Sequence, residues 1–260
     1  MNKFIYLALS LVSLLSFASC GDEDEKEVSK VEIPEEVSSL DYATLYELGL
    51  NYPLGSVSLI DLGLSVKWAS KNVGALDFYS NGSYFAWGET KTKDEYSLAN
   101  SDFVYKSINE LYDEGVIDNS GNLTFMYDAA TAWNVLYRMP TAKEFSELKE
   151  NCDFYNMTIV AGTGEKVAGF YVKSKINGNA IFLPVTGMKA FEKFYNFDFG
   201  QYWSSTACQE HSPEATGPYL YYAYYCQIYG EVSPFRRVLI TPDIKADRYD
   251  GRTIRAVENK

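Results

Sequence analysis

From Ser56 onward the chain runs in short apolar stretches punctuated by glycine, a pattern of strands and turns more than of helices. Val66 and Trp68 fall on one strand face with Lys67 on the other. Phe170–Ile176 and Ala180–Leu183 flank Asn177-Gly178-Asn179, which predicts a hairpin because both Asn and Gly tolerate positive φ. Three helices are marked. Thr141 and Glu144 form a capping box ahead of Phe145, Leu148 and Cys152 on one face. Asp128–Trp133 is a shorter candidate, and Leu40–Gly49 another, with Gly49 as its stop. Residues 99–127 are polar and glycine-interrupted and read as a long loop or insertion. Few helices, many short strands and long loops predict one α+β domain over residues 56–258, preceded by a short helical lead-in at 41–55.

The first forty residues have a different pattern. Lys3 precedes an apolar run from Phe4 to Leu15, and the small residues Ala18 and Ser19 lead to Cys20. This predicts a secretory signal over 1–19, because the run is too short to span a membrane and decays into Ser and Ala. Phe17-Ala18-Ser19-Cys20 resembles a bacterial lipobox, which implies cleavage before Cys20 and a lipid on its thiol. Residues 20–40 are rich in acids and almost free of large apolar side chains, so a disordered tether is expected. The acidic run directly after Cys20 also resembles surface-export tags of some Gram-negative lipoproteins. The expected location is the outer membrane, exposed at the cell surface.

Charge and composition narrow the functions. Lys and Arg number 23 against 35 Asp and Glu, a net charge of −12 that excludes a general nucleic-acid binder. One histidine and four cysteines leave no zinc cluster to build. A Ser-His-Asp triad would have to use His211, which sits in a loop-like stretch and reads as a solvated side chain. Asp118-Asn119-Ser120-Gly121-Asn122 is oxygen-rich but lacks a later bidentate Glu, so a plain turn is expected rather than a calcium loop. No cofactor or metal site is predicted.

Seven short motifs in order carry a resemblance. They are Ser58–Ala69, Tyr84–Thr90, Asp128–Thr131, Arg138–Thr141, Asn179–Pro184, Tyr202–Ser205 and Gly251–Val257. Together they resemble the Fibrobacter-type major paralogous domain, of the sulfatase-modifying-factor-like and C-type-lectin-like folds. The resemblance implies a mixed sheet whose first and last strands pair, with binding carried by long loops. The related sulfatase-modifying enzymes hold copper on a close cysteine pair near the C-terminus; here Cys208 and Cys226 are far apart and match no such motif. Lectins of this fold that bind sugar through calcium carry Glu-Pro-Asn or Gln-Pro-Asp, and neither triplet occurs. The family often has a cysteine where this chain has Lys71, which implies that Cys152 is a free, buried thiol.

Two features remain. Cys208 and Cys226 flank Gly217-Pro218 symmetrically, which points to a bridge across a hairpin, with two free thiols as the alternative. Six of the eleven residues from Tyr219 to Tyr229 are tyrosine. Alternation places Leu220, Tyr222, Tyr224, Cys226 and Ile228 on one face and Tyr219, Tyr221, Ala223, Tyr225, Gln227 and Tyr229 on the other. The second set has the composition of a recognition surface, so Tyr219, Tyr221, Tyr225 and Tyr229 are candidate ligand contacts; a strand buried on both sides is the alternative. The expected function is non-catalytic recognition of a glycan or a surface protein by a lipid-anchored domain. The alternatives are an enzyme of the sulfatase-modifying type and a variable receptor.

Overall fold

A computed structural model of the chain describes residues 32–53, 55–195, 198–212, 219–230 and 238–260. Residues 33–260 form the folded unit. In chain order its elements begin with β1 (Glu36–Ser38), α1 (Tyr42–Glu47), β2 (Leu59–Asp61), β3 (Val66–Ala69), α2 (Ile108–Asp113), α3 (Ala129–Trp133) and α4 (Ala142–Asn151). The second half is strands: β4 (Cys152–Val160), β5 (Lys166–Ser174), β6 (Ala180–Pro184), β7 (Met188–Ala190), β8 (Lys193–Tyr195), β9 (Phe199–Ser212), β10 (Leu220–Gly230), β11 (Val238–Asp247) and β12 (Val257–Asn259). The α+β, strand-rich expectation therefore describes the fold.

One sheet is mixed, in the order β1-β4-β5-β6, with β1 parallel to β4 and the other pairs antiparallel. Two three-stranded antiparallel sheets, β11-β10-β9 and β12-β3-β2, and the small β7-β8 ribbon complete it. The last strand thus pairs with β3, Val257 facing Trp68, so the two ends of the 56–258 region meet. The Asn177-Gly178-Asn179 turn joins β5 to β6, with Gly178 at φ 76°. Thr141 caps α4 with its side chain on the Glu144 amide, while the Glu144 carboxylate accepts from the Thr141 amide at 2.8 Å.

Among the described residues three large apolar clusters hold the sheets, with a small fourth at Tyr84, Ala86 and Tyr96. Trp87, Trp203, Tyr225 and Ile254 centre the first, and Trp68, Phe145, Tyr202 and Ile228 the second. Val37, Leu45, Leu48 and Leu50 centre the third, against Met157, Ile159, Tyr171 and Phe182. That third cluster moves the boundary of the domain. The tether expected to reach residue 40 ends earlier, because buried Val37 sits in β1 beside β4, and the lead-in at 41–55 is core rather than preface. Averaging the composition over 20–40 hid one apolar residue between two polar ones. The stretch 99–127 is corrected likewise: it contributes Leu111, Val116, Ile117 and Leu123 to the first cluster and is not a bare loop.

Arg255 shows how the parts are tied. It is fully buried and donates from Nε to Asn72 Oδ1 at 2.8 Å, from Nη1 to the Ala69 carbonyl at 2.9 Å and from Nη2 to the Phe182 carbonyl at 2.8 Å. One side chain thereby links the end of β3 to the middle of β6. Burial lowers its pKa to about 10.

Candidate functional site

The tyrosine strand β10 lies between β9 and β11, and its central side chains are buried in a different apolar cluster on each face. Ala223 and Tyr225 enter the first cluster, and Cys226 and Ile228 the second. The alternation is as the sequence implied, but Tyr225 is a core residue and not a ligand contact. Its ring meets Trp203 edge-on with centroids 6.1 Å apart, and the Arg252 guanidinium stands 4.2 Å from its centre. Arg252 is held in turn by Asp250 at 2.9 Å and by Gln201 Oε1 at 3.1 Å. Burial, opposed by Arg252, raises the Tyr225 pKa. Tyr229 stacks on Phe199 at 5.0 Å, at the far end of the strand. Eight residues at roughly 3.3 Å each put it about 26 Å from Tyr221. The four tyrosines therefore do not make one platform.

What remains is a cluster at the near end. Tyr219 is 51% exposed, Tyr221 half-buried and His211 exposed. The His211 ring lies 4.3 Å from that of Tyr219 and 5.4 Å from that of Tyr221, which it faces across the β9–β10 ladder. Beneath Tyr221 lies the fully buried Arg248, 5.7 Å from that ring and 4.9 Å from Trp87. Its Nε donates to the Tyr222 carbonyl at 3.0 Å, and Nη1 to the carbonyls of Phe103 and Lys106 at 3.0 and 2.6 Å. Nη2 has no hydrogen-bond partner among the described residues. Burial brings this guanidinium down to a pKa of about 9. On the opposite strand face Lys245 stands over Tyr222 and pairs with Glu210. A hydrogen bond with Cys208, followed by burial, pushes the Tyr224 hydroxyl up to about 12.

The expected bridge between Cys208 and Cys226 is not formed. Both are buried free thiols. Cys226 pairs in register with Tyr202, whereas Cys208 lies beside Ala207, which faces Ala223. The bulged ladder thus sets them about four residues, or roughly 13 Å, apart, beyond the roughly 7 Å Cα limit of a disulfide. Symmetry about Gly217-Pro218 misled because β9 carries extra residues between these pairs. Cys152 is the free, buried thiol expected, its pKa pushed up to about 12 by burial. Cys20, Gly217 and Pro218 lie outside the described residues.

Sequence reasoning missed a second feature. A cavity of about 430 Å³ is lined by the apolar Phe125, Val135 and Leu136, by the polar Asp118, Asn122, Asp128, Arg138 and Asn259, and by Tyr137. Asp118 Oδ1 accepts the amides of Ser120 and Asn122, so this stretch is the turn that was expected. Asp128 caps α3 through Oδ1, on the amides of Ala130 and Thr131, and its Oδ2 accepts from the Met139 amide at 2.8 Å. The adjacent pairs Phe125-Met126 and Val135-Leu136, apolar residues set between turn residues, were the available signal. Among the described residues no group of three His, Cys, Asp or Glu is placed to hold a metal ion.

No family model, curated protein or solved structure matches the chain.

Proposed function

We propose that this chain is a lipid-anchored surface protein whose folded unit is a non-catalytic recognition module, with a glycan seated on His211, Tyr219 and Tyr221. One observation carries the reading: three rings with polar tips stand together and accessible at the end of a strand whose Ala223, Tyr225 and Cys226 are buried. Flat aromatic faces stack on sugar rings, and Tyr hydroxyls and an imidazole offer hydrogen bonds at the rim. Arg248, itself packed on Trp87, lies under Tyr221 and backs its ring, so less ordering is left for binding to accomplish. The order of motifs resembling the C-type-lectin-like families supports the same reading.

A glycan array probed with the full chain tests it. Tyr219→Ala and His211→Ala should each weaken binding to the best glycan at least tenfold while the melting temperature stays unchanged. An array with no bound glycan, or two variants that bind like the parent, refutes the assignment.

A further inference from the structure

The cavity beside α3 has the make-up of a peptide site, and it does so independently of the tyrosine cluster. Its rim is apolar and outward-facing: Phe125, Val135 and Leu136 are 74%, 84% and 66% exposed, and Met126 beside them is 66% exposed. This exposure is built in. The turn after α3 is tied internally by the Leu136 amide on Asn134 Oδ1 at 3.0 Å and the Tyr137 amide on the Asn134 carbonyl at 2.9 Å. Thr131 Oγ1 donates to the Tyr137 carbonyl, and Asp128 holds the Met139 amide. A turn fastened at both ends cannot fold its tip inward, so Val135 and Leu136 stay in water. Several large apolar side chains held around one cavity mark a contact surface for another apolar group.

The polar part of the lining says what kind. Asn122 Oδ1 accepts from Thr206 Oγ1 at 2.7 Å, and Asn259 Oδ1 accepts from Arg138 Nη2 at 2.8 Å. With both amide oxygens committed, the two Nδ2 groups are the donors left for a ligand. Arg138 is saturated by Glu144 and Asn259, so it offers no net positive charge. Asp118 uses Oδ1 on backbone amides, and no described cation pairs with it. The chain as a whole carries −12. Donors for carbonyl oxygens, an exposed apolar rim, a Tyr137 ring that is buried against Trp133 rather than presented as a platform, and an unpaired carboxylate fit a polypeptide better than a sugar.

We propose that this cavity binds an extended segment of a partner protein that carries apolar side chains next to a lysine or arginine. The apolar side chains lie between Phe125 and the Val135-Leu136 tip, main-chain carbonyls accept from Asn122 and Asn259, and the basic group reaches Asp118.

The test is selection of a random nonapeptide display library on the full chain, followed by titration of the enriched peptides against Leu136→Asp and Asp118→Asn. Leu136 is exposed, so both variants should keep the parent melting temperature. The expected peptides hold at least two apolar residues and one lysine or arginine. They should bind Leu136→Asp at least tenfold more weakly and Asp118→Asn about threefold more weakly. Failure to enrich any peptide, enrichment of acidic peptides, or equal binding to both variants overturns the proposal. So does a dimer in sedimentation that Leu136→Asp dissolves, since the occupant would then be a second copy of the chain. Neither variant should alter glycan-array binding, which separates this result from the fate of the tyrosine cluster.

Discussion

A tyrosine brings an apolar ring and a hydroxyl, and its neighbours determine which of the two it uses. Tyr225 lies between Trp203 and Arg252 and donates its hydroxyl to Gln227 Oε1 at 3.0 Å, whereas Tyr219, six residues earlier, shows half its surface to solvent. Tyr225→Ala should therefore cost on the order of 3 kcal/mol, by analogy with other large aromatic truncations. Tyr219→Ala should stay within about 0.5 kcal/mol. Denaturant unfolding of the two variants side by side checks this, and equal losses would mean that the strand's two ends are packed alike. Alternation alone separated the two faces of β10 correctly, because side-chain direction along a strand is a local property. It could not show that the Tyr225 face is covered as well, because Trp203 and Arg252 cover it and lie far away in sequence. The buried arginines 248, 252 and 255 were equally illegible: the motif around them was visible, but their partners are carbonyls and rings from distant segments.

Elements with their own local signals were the easiest to read. The α4 capping box, the Asp128 cap of α3 and the Asn-Gly hairpin each depend on residues a few positions apart. The same kind of signal stood unread in the 99–127 stretch. Ser107 and Glu110 form a capping box for α2, a six-residue helix too short to show an apolar period. The α4 cap also yields a pH dependence. Burial pushes Glu144 up, but hydrogen bonds from Arg138 and Thr141 outweigh it and leave the carboxyl below its ordinary 4.5. A carboxyl depressed in the folded state stabilises above the unfolded value and loses that contribution as pH falls through the folded one. Melting temperature should thus drop on acidification below about pH 4.5, and Glu144→Gln should show a shallower drop from a lower starting point, about 1 kcal/mol down at neutral pH. Thermal scans from pH 3 to 7 on both proteins measure it, and parallel profiles would remove Glu144 as a cause.

At the scale of the whole molecule, the proposed anchor and the folded unit should be separable. If Cys20 bears the lipid, Cys20→Ala should shift the protein from the membrane to the soluble fraction of its cell without changing the melting temperature of the unit that begins at Ile33. Persistence in the membrane fraction would require another anchor. The closing of the fold has a further consequence, in time. β3, complete at Ala69, finds one of its two strand partners only in Val257–Asn259, and the Ala69 carbonyl waits for Arg255. The first cluster likewise lacks Ile254 and Ala256 until nearly the whole chain has been made. A ribosome delivering this protein from its N-terminus thus produces a polypeptide that cannot finish its core until residues 254–259 emerge. If the proposed signal directs export, that delay should keep the core incomplete while the chain is threaded through a secretion channel. A chain that stops at Arg248 should be open to proteases, because it lacks the buried Arg252 and Arg255 and the strand that pairs with β3.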